Sequence, residues 1–277
     1  MLRPCIWEGF EMSSNQCIDW QGNLACLQPS GLVLKSRHTV QGKHVFGPDS
    51  DYTTLAISGL ELLSEETEIN KINFDSQIDS FVMQACDYSL DEEAMWSIIC
   101  DSDSASISIC KSELVSWDVS GTEMDEELFT KMNDAWKEEM NAVSQGAFIS
   151  EQSYRSGGPS RMNFNSQSLG EIRIWPPREM IGDQRPIAAE PMKKSGKIES
   201  WTKLSAGGAP SEFSLRAPIL GGISTVFVRL DEGPCGVFLI ADDENLEPVI
   251  GNSVTFAVRR IYAQDGLIRY GLKALLS

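Results

Sequence analysis

The C-terminal third of the chain alternates regularly between apolar and polar positions. In residues 225–230 and 254–259, every second residue is valine, leucine or phenylalanine, and Arg259 lies in the intervening set. A period of two places one set on the buried face of a β-strand and the other set nearer solvent. Turn residues, such as those at 231–234, separate similar apolar runs across 197–272. We therefore predict five short strands that form a small closed or nearly closed barrel.

Helical spacing appears first in the N-terminal half. Apolar residues of 55–63 recur three or four apart, after a candidate N-cap at Asp49, Ser50 or Asp51. Further along, I-D-S-F-V-M (78–83) is expected to form a strand. A short helix followed by the strand A-S-I-S-I-C is expected between residues 92 and 110.

The strongest helical pattern runs from Thr122 to Gly146. Thr122 and Asp125 resemble a capping box, acidic residues fill the first turn, and Gly146 is a stop signal. One apolar stripe comprises Phe129, Met132, Trp136, Met140 and Val143. We interpret the stripe as a core face; the alternative is a partner-docking helix, because Met and Trp are common at adaptable interfaces. The polar stretch that follows contains S-G-G-P at 156–159, which is typical of a linker or exposed loop.

Charge divides the 277 residues into two regions. The net charge is −17, and residues 1–150 hold 8 Lys/Arg against 26 Asp/Glu, whereas 151–277 hold 15 against 14. The change in composition suggests two domains. Phosphate backbones are bound through Lys and Arg, so nucleic acid is an unsuitable partner for so acidic a chain. With no apolar run long enough to span a bilayer and no signal-peptide pattern, we expect a cytoplasmic protein without a membrane partner.

The cysteines indicate buried thiols. Six of the seven lie in the first 110 residues, and no C-x-x-C pair occurs. The usual spacing of a zinc or redox site is therefore missing. We expect reduced cysteines that behave as small hydrophobic residues.

Three motifs in the C-terminal half carry a family resemblance. S-G-K-I-E-S-W-T (195–202), L-D-E-G-P-C-G-V-F-L-I (230–240) and V-I-G-N-S-V-T-F (249–256) resemble an OB-fold family associated with acyl-CoA enzymes. The match covers roughly residues 166–275. Members of that family carry a rubredoxin-like zinc ribbon before an OB barrel and act with thiolase-like or hydroxymethylglutaryl-CoA-synthase-like partners. The resemblance implies the same order here.

The ribbon motif of that family is C-x-x-C-G, then P-P-R, then C-x-x-C. The residues that match it are Gly170, Pro176, Pro177 and Arg178. The four ligand positions hold Ser166, Leu169, Ile181 and Gln184. Closed structural zinc sites use four Cys or His ligands. We therefore expect the ribbon to persist as a hairpin without zinc.

The N-terminal half resembles a truncated hydroxymethylglutaryl-CoA-synthase-like, thiolase-fold enzyme. The fragments that carry this are R-H-T-V-Q-G-K-H (37–44), D-S-D-Y-T-T-L-A (49–56), I-D-S-F-V-M and D-S-D-S-A-S-I-S-I (101–109). Against the family's acidic helix-opening motif and its later glycine-rich strand, the matching positions are Asp49, Asp51, Thr54, Ala56, Ser102, Asp103 and Ala105. The region that carries the nucleophilic Cys in that family is absent. The resemblance implies a reduced, degenerate domain.

Few residues are candidates for chemistry. Cys86, with His38 or His44, would form a nucleophile and base, but a reactive thiol needs a base or positive field and Asp87 opposes ionisation. We expect a structural Cys86 at the end of a strand and both histidines on a surface loop. The C-terminal half contains a basic set that comprises Lys193, Lys194, Lys197, Lys203 and Arg229. Lys203 and Arg229 are candidates to bind a coenzyme A phosphate or a partner. The alternative is that these residues form a solvated surface.

Taken together, the sequence predicts an α+β protein with four parts. These are an acidic thiolase-like α/β domain (1–150), a linker (151–165), a degenerate ribbon hairpin (166–196) and a five-stranded OB barrel (197–277). The first functional hypothesis is an accessory, non-catalytic subunit of a thiolase-like acyltransferase complex, with no tightly bound cofactor and a coenzyme A thioester at a shared site. The second is a stand-alone acyltransferase that uses Cys86. The third, a module for single-stranded nucleic acid, is disfavoured because Phe227, Phe238 and Phe256 are expected in the core.

Overall fold

The computed structural model describes residues 16–65, 67–114, 117–141, 150–244 and 246–276. These residues form a mixed α+β structure that consists mostly of strands in several sheets. The elements up to residue 141 are β1 (Gln16–Trp20), β2 (Asn23–Gln28), β3 (Gly31–Ser36), β4 (His38–Val40), β5 (Lys43–His44), α1 (Tyr52–Ser64), β6 (Lys71–Ile72), α2 (Ser80–Ala85), β7 (Ser89–Leu90), β8 (Ser97–Asp101), β9 (Ser106–Cys110), β10 (Thr122–Glu123) and α3 (Glu126–Asn141). The later elements are α4 (Glu151–Met162), β11 (Ser166–Leu169), β12 (Ile172–Ile174), β13 (Ile187–Ala189), β14 (Ser195–Leu204), α5 (Arg216–Ile219), β15 (Ile223–Leu230), β16 (Cys235–Leu239), β17 (Ser253–Gln264) and β18 (Leu267–Leu276).

An antiparallel sheet with one buried helix forms the N-terminal core. The strand order is β1-β2-β3-β9-β8, and every neighbouring pair is antiparallel. The predicted α/β alternation, which would give parallel strands, is therefore wrong for this sheet. Ser102, Asp103 and Ala105, which the resemblance matched to a strand motif, lie instead in the turn between β8 and β9.

Helix α1 lies against this sheet and begins as the sequence predicts. Asp51 is its N-cap: the carboxylate accepts the Thr54 N–H at 3.0 Å, and the Thr54 hydroxyl lies 2.9 Å from the Asp51 N–H. This reciprocal pair is a capping box. Gly59 lets the helix approach the sheet, because a Cβ there would lie 2.7 Å from Ile109 Cδ1.

Three segments differ from the sequence predictions. Residues 78–83 enter helix α2 rather than a strand, because Asp79 caps it by accepting the Phe81 and Val82 N–H groups. The short helix expected after residue 92 is replaced by strand β8. The expected loop at 156–159 lies within α4, where Gly158 packs close to the Phe81 ring. Tertiary packing here overrides the low helix propensity of Gly and Pro.

Helix α3 buries the centre of its apolar stripe, whereas Phe129 and Met140 are half-buried. It begins at Glu126, and Asp125 rather than Thr122 caps it, accepting the Leu128 N–H at 2.7 Å. Met132 and Trp136 are buried. The expected stop at Gly146 and the stripe residue Val143 lie outside the described residues. The helices of the described part are all too short or too polar to span a bilayer.

The C-terminal strands form a curled sheet whose edges meet. The order is β16-β15-β14-β17-β18, and a parallel bridge between Ile240 and Ala274 joins the region after β16 to β18. The expected alternation is confirmed in β15, where Val226, Val228 and Leu230 are buried. Phe227, expected in the core, lies on the outer face and is 37% exposed.

Strands β17 and β18 contribute to both cores. Val258 and Tyr270 belong to the N-terminal core, whereas Phe256 and Ala274, on the same face of the strands, belong to the barrel core. On the opposite face, Arg259 and Lys273 form ion pairs with Asp49 of the N-terminal half. Arg259, predicted to face solvent, is therefore buried together with its neighbour Ala257. Side chains alternate between the two faces of the strand as predicted, but both faces of the β17–β18 pair are covered by other parts of the protein.

A buried ionic cluster crosses this interface. Lys273 Nζ lies 2.9 Å from Asp49 Oδ2 and 2.6 Å from Asp242 Oδ1, and Arg216 bridges Asp242 (3.2 Å) to Glu139 (2.8 Å). The cluster connects the segment before α1, helix α3 and the barrel. All five side chains are nearly inaccessible. Buried charges are tolerated when they are paired and hydrogen-bonded.

Lys273→Met is expected to lower the free energy of unfolding by about 3–5 kcal/mol, because it leaves Asp49 and Asp242 buried without their shared ammonium. Urea denaturation followed by circular dichroism measures the change. Lys137→Met is the matched control, since its pair with Asp134 is exposed and should leave the urea midpoint unchanged. Equal midpoints for both variants would contradict a stabilising role for the cluster.

Candidate functional site

A cleft of about 900 Å3 lies between the N-terminal sheet and the open end of the barrel. The β1–β2 turn and the ends of α1 and α2 form one side. The segment before β14 and the loop after β16 form the other side. Cys86, Glu61, Lys194 and Asp243 all line it. Among the sequence candidates, Cys86 and Lys194 of the basic set line this cleft.

Cys86 is held as a neutral thiol. It is the C-cap of α2 rather than the end of a strand, and its backbone N–H donates to Val82 and Met83 carbonyls. Its side chain is buried, and burial raises the pKa of the thiol to about 12. The Lys194 charge acts in the opposite direction, but Glu61 and Asp87 add to the rise. The geometry does not supply the positive field that an activated cysteine needs.

Lys194 and Glu61 form an ion pair at the cleft wall. Burial disfavours the Lys194 ammonium, yet the Glu61 carboxylate more than offsets this and raises the pKa of Lys194. Lys194 thus stays cationic with its charge neutralised by Glu61. This pair can position a polar group in the cleft but leaves no base for Cys86.

The two histidines are structural rather than on a surface loop as expected. His44 is buried in β5, with Nδ1 and Nε2 2.7 and 2.9 Å from the carbonyl oxygens of Ser36 and Val119. His38, in β4, has Nε2 3.4 Å from Asp243 Oδ2. Among the described residues, no hydrogen bond joins either imidazole to Cys86. The predicted nucleophile–base arrangement is not assembled.

Asp243 connects strand β4 to the barrel. Burial opposes its ionisation, but the hydrogen bond with His38 and the charge of Arg259 hold the pKa of this carboxyl at about 2. Asp243 is therefore an ionised structural carboxylate at neutral pH. The sequence analysis did not identify it, because it is one acid among many in a loop.

Lys203 and Arg229 do not form one basic site. On β15, the partner of Lys203 is Ser224, whereas Arg229 lies five residues further along. At about 3.4 Å per residue this separates the two by roughly 17 Å along the sheet. Lys203 is exposed, and Arg229 donates from Nε to Glu199 at 2.5 Å. They would contact separate parts of any bound molecule.

The ribbon segment forms a small antiparallel sheet in the order β12-β11-β13. Gly170 turns between β11 and β12 with φ +61°. Reciprocal backbone hydrogen bonds of 2.9 and 3.1 Å join Ile181 and Gln184. The Ser166 hydroxyl donates to the Glu190 carbonyl at 2.8 Å. The backbone therefore turns next to Leu169 and again between Ile181 and Gln184, which are three of the sequence-predicted ligand positions.

The donor set at these positions does not fit zinc. Leu169 and Ile181 have no coordinating atom, and Ser166 Oγ accepts from Arg173 in addition to its own bond. Across the described ranges, no cluster of three or more His, Cys, Asp or Glu residues is arranged to hold a metal. A tetrahedral Cys/His site is not available here.

The same hairpin exposes large apolar side chains. Ile172 and Ile187 are 67% and 72% exposed, and Met180 and Ile181 in the intervening loop are also exposed. Ile172 pairs with Leu169, whereas Ile187 pairs with the adjacent Ser168, so the two isoleucines project from opposite faces. Both faces of the hairpin therefore carry apolar groups in solvent.

Known proteins show only weak similarity to this chain. No family model matches the chain, and no curated protein matches it. Among solved structures, the chain resembles one titled "Ltp2-ChsH2(DUF35) aldolase", with a TM-score of 0.32 and 14% identity over 46% of this chain and 98% of that chain. Similarity at this level carries no argument about function, which must come from the chain's own residues.

Cys86 is expected to react with iodoacetamide on the order of 1,000-fold more slowly at pH 8 than an exposed thiol of ordinary pKa, because burial raises its pKa to about 12. Peptide mapping by mass spectrometry measures the rate, with the partly exposed Cys235 as internal reference. Incubation with acetyl-CoA should leave no acyl adduct on Cys86. A stoichiometric adduct would favour the stand-alone acyltransferase hypothesis.

Asp243→Asn is expected to destabilise the protein above about pH 4 and to approach wild-type stability as the pH falls toward 2. The folded pKa of about 2 lies below the unfolded value of 3.8, so the folded state binds fewer protons between these values. The contribution is about 2 kcal/mol at neutral pH. Urea midpoints from pH 3 to pH 7 measure it, with the exposed Asp134→Asn as control. A difference that does not change with pH would contradict the assignment.

Proposed function

We propose that this chain is an accessory, non-catalytic subunit of a thiolase-like or hydroxymethylglutaryl-CoA-synthase-like acyltransferase complex that acts on acyl thioesters. The observation that carries the proposal is the hairpin with Ile172 and Ile187 exposed on opposite faces. Exposed apolar groups on a soluble chain mark interaction sites. A segment that is apolar on both faces suits insertion into a groove of a partner.

The strand arrangement supports an OB fold for the C-terminal part. In order of appearance along the chain, β14 to β18 are strands one to five, and the sheet order is 3-2-1-4-5. The contact between the end of the third strand and the fifth closes this order into a ring. A five-stranded, partly open barrel is the OB architecture. A ribbon-like hairpin without zinc precedes it, in the order that the sequence resemblance implies.

The catalytic groups are assigned to the partner. Cys86 is a neutral thiol, and His38 and His44 are occupied in structural hydrogen bonds. Claisen-type carbon–carbon bond formation or acyl transfer needs a thiolate and a positioned base. In the proposed complex the partner supplies both, and this chain covers the acyl entrance. A coenzyme A thioester bound at the shared site would use the exposed Lys203 for a phosphate, with no cofactor held by this chain alone.

Ile172→Asp and Ile187→Asp are each expected to weaken the complex about 30-fold or more, because an interface anchor contributes 2 kcal/mol or more. Thiolase-like enzymes of the same genome would be co-expressed with the chain. Light scattering then gives the mass of the complex, and interferometry gives its affinity. The expected result is a hetero-complex that transfers acyl groups when neither component does so alone.

Ile99→Asp is the matched control, because Ile99 is 59% exposed on the N-terminal sheet, away from the hairpin. It should leave the affinity unchanged. Circular dichroism melting of all three variants separates lost binding from lost folding. Acyl transfer by the isolated chain, or binding that is indifferent to both hairpin variants, would overturn the proposal.

A further inference from the structure

A separate cavity, of about 820 Å3, shares no described lining residue with the Cys86 cleft. Helix α4, the start of the Pro-Pro-Arg segment and strands β16 to β18 enclose it. Its wall includes Trp175, Phe238, Leu239, Ile261 and Leu272. A cavity of this size with aromatic and aliphatic walls is typical of a small-molecule site. Its lining includes Pro176 of the Pro-Pro-Arg segment and Cys235 to Leu239 of the motif at 230–240.

Arg269 lines this cavity and has no anionic partner. It is 5% exposed, and its guanidinium lies 5.0 Å from the ring centroid of Tyr154. Its Nε is buried without a hydrogen-bond acceptor, and no carboxylate within the described ranges forms an ion pair with it. The other buried arginines and lysine, Arg216, Arg259 and Lys273, each form an ion pair with at least one carboxylate. An unpaired buried charge is costly, so Arg269 is suited to an anion supplied from outside.

The charge of the cavity wall is opposite to that of the protein. Among the residues that the structure describes, the lining includes two arginines, Arg161 and Arg269, and no Asp or Glu. The whole chain has a net charge of −17. Arg161 is exposed, whereas Arg269 is buried. The cavity is therefore a positively charged site in an acidic protein, with the exposed Arg161 and the buried Arg269 in its wall.

We propose that this cavity binds an amphipathic carboxylate. The carboxylate accepts hydrogen bonds from the Arg269 guanidinium, whose planar donor set suits bidentate contact with a carboxylate. The aliphatic or aromatic body lies along Trp175, Phe238 and Leu272. One buried cation matches one negative charge, which favours a monocarboxylate over a phosphate dianion. Arg161 draws the anion in from solvent.

The test uses octanoate as the probe and the uncharged octanamide as its analogue, with the full chain in isothermal titration calorimetry. Wild-type protein should bind octanoate with 1:1 stoichiometry and at least ten-fold more tightly than octanamide. Arg269→Met should abolish that preference. Arg155→Met, on the same helix as Tyr154 but outside the cavity wall, should retain it. The absence of saturable octanoate binding, or an unchanged preference in Arg269→Met, would overturn the proposal.

A measurement on the wild-type chain guards against misfolding of the variant. Cys235 is partly exposed and lines the cavity, so saturating octanoate should slow its alkylation at least five-fold. Alkylation of Cys100, outside the cavity wall, should be unaffected. Equal rates at Cys235 with and without octanoate would place the ligand elsewhere and refute the site. Complex assembly needs no octanoate, so failure of this proposal and failure of the proposed function are separate results.

Discussion

The shared ammonium of Lys273 is the interaction on which the arrangement of the two halves depends. It lies between Asp49, which precedes α1, and Asp242, which follows β16. Since each carboxylate is buried, displacement of either half would remove an ammonium that both carboxylates share in an environment without solvent. Hydrophobic contact alone would tolerate some sliding of the helix and the sheet. The paired charges permit one register, which is the best-attested use of buried ions.

The polar residues of the acidic segment 49–54 make contacts within the fold. Asp49 binds Lys273, and Asp51 caps α1 and accepts a hydrogen bond from the Tyr270 hydroxyl at 2.7 Å. The resemblance aligns this segment with the helix-opening motif of a catalytic family. In this chain its polar groups are used within the fold. The neutral Cys86 follows the same pattern, which agrees with a chain that supports chemistry performed elsewhere.

Sequence periodicity predicted the elements whose environment is local. Alternation in β15 and the capped helix α1 follow from neighbours a few residues away. Helix α4 was missed because Gly158 is stabilised by contact with Phe81, far away in sequence. Arg259 was misplaced because alternation reports two faces of a strand but not what covers the second. In the sequence, the cavity is indicated only by Arg269, a cation within an otherwise apolar strand. Arg259 and Lys273 show the same pattern, but they form ion pairs with Asp49.

Strands β17 and β18 run without interruption from one core into the other. Their residues near Phe256 fill the barrel, and those near Tyr270 fill the space under α1. Because the same two strands contribute to both cores, we expect the two halves to unfold together as one cooperative unit. The barrel in this chain is consequently not a module that recombination could exchange whole. One face of β17 and β18 contributes to the barrel core at one end of the strands and to the N-terminal core at the other.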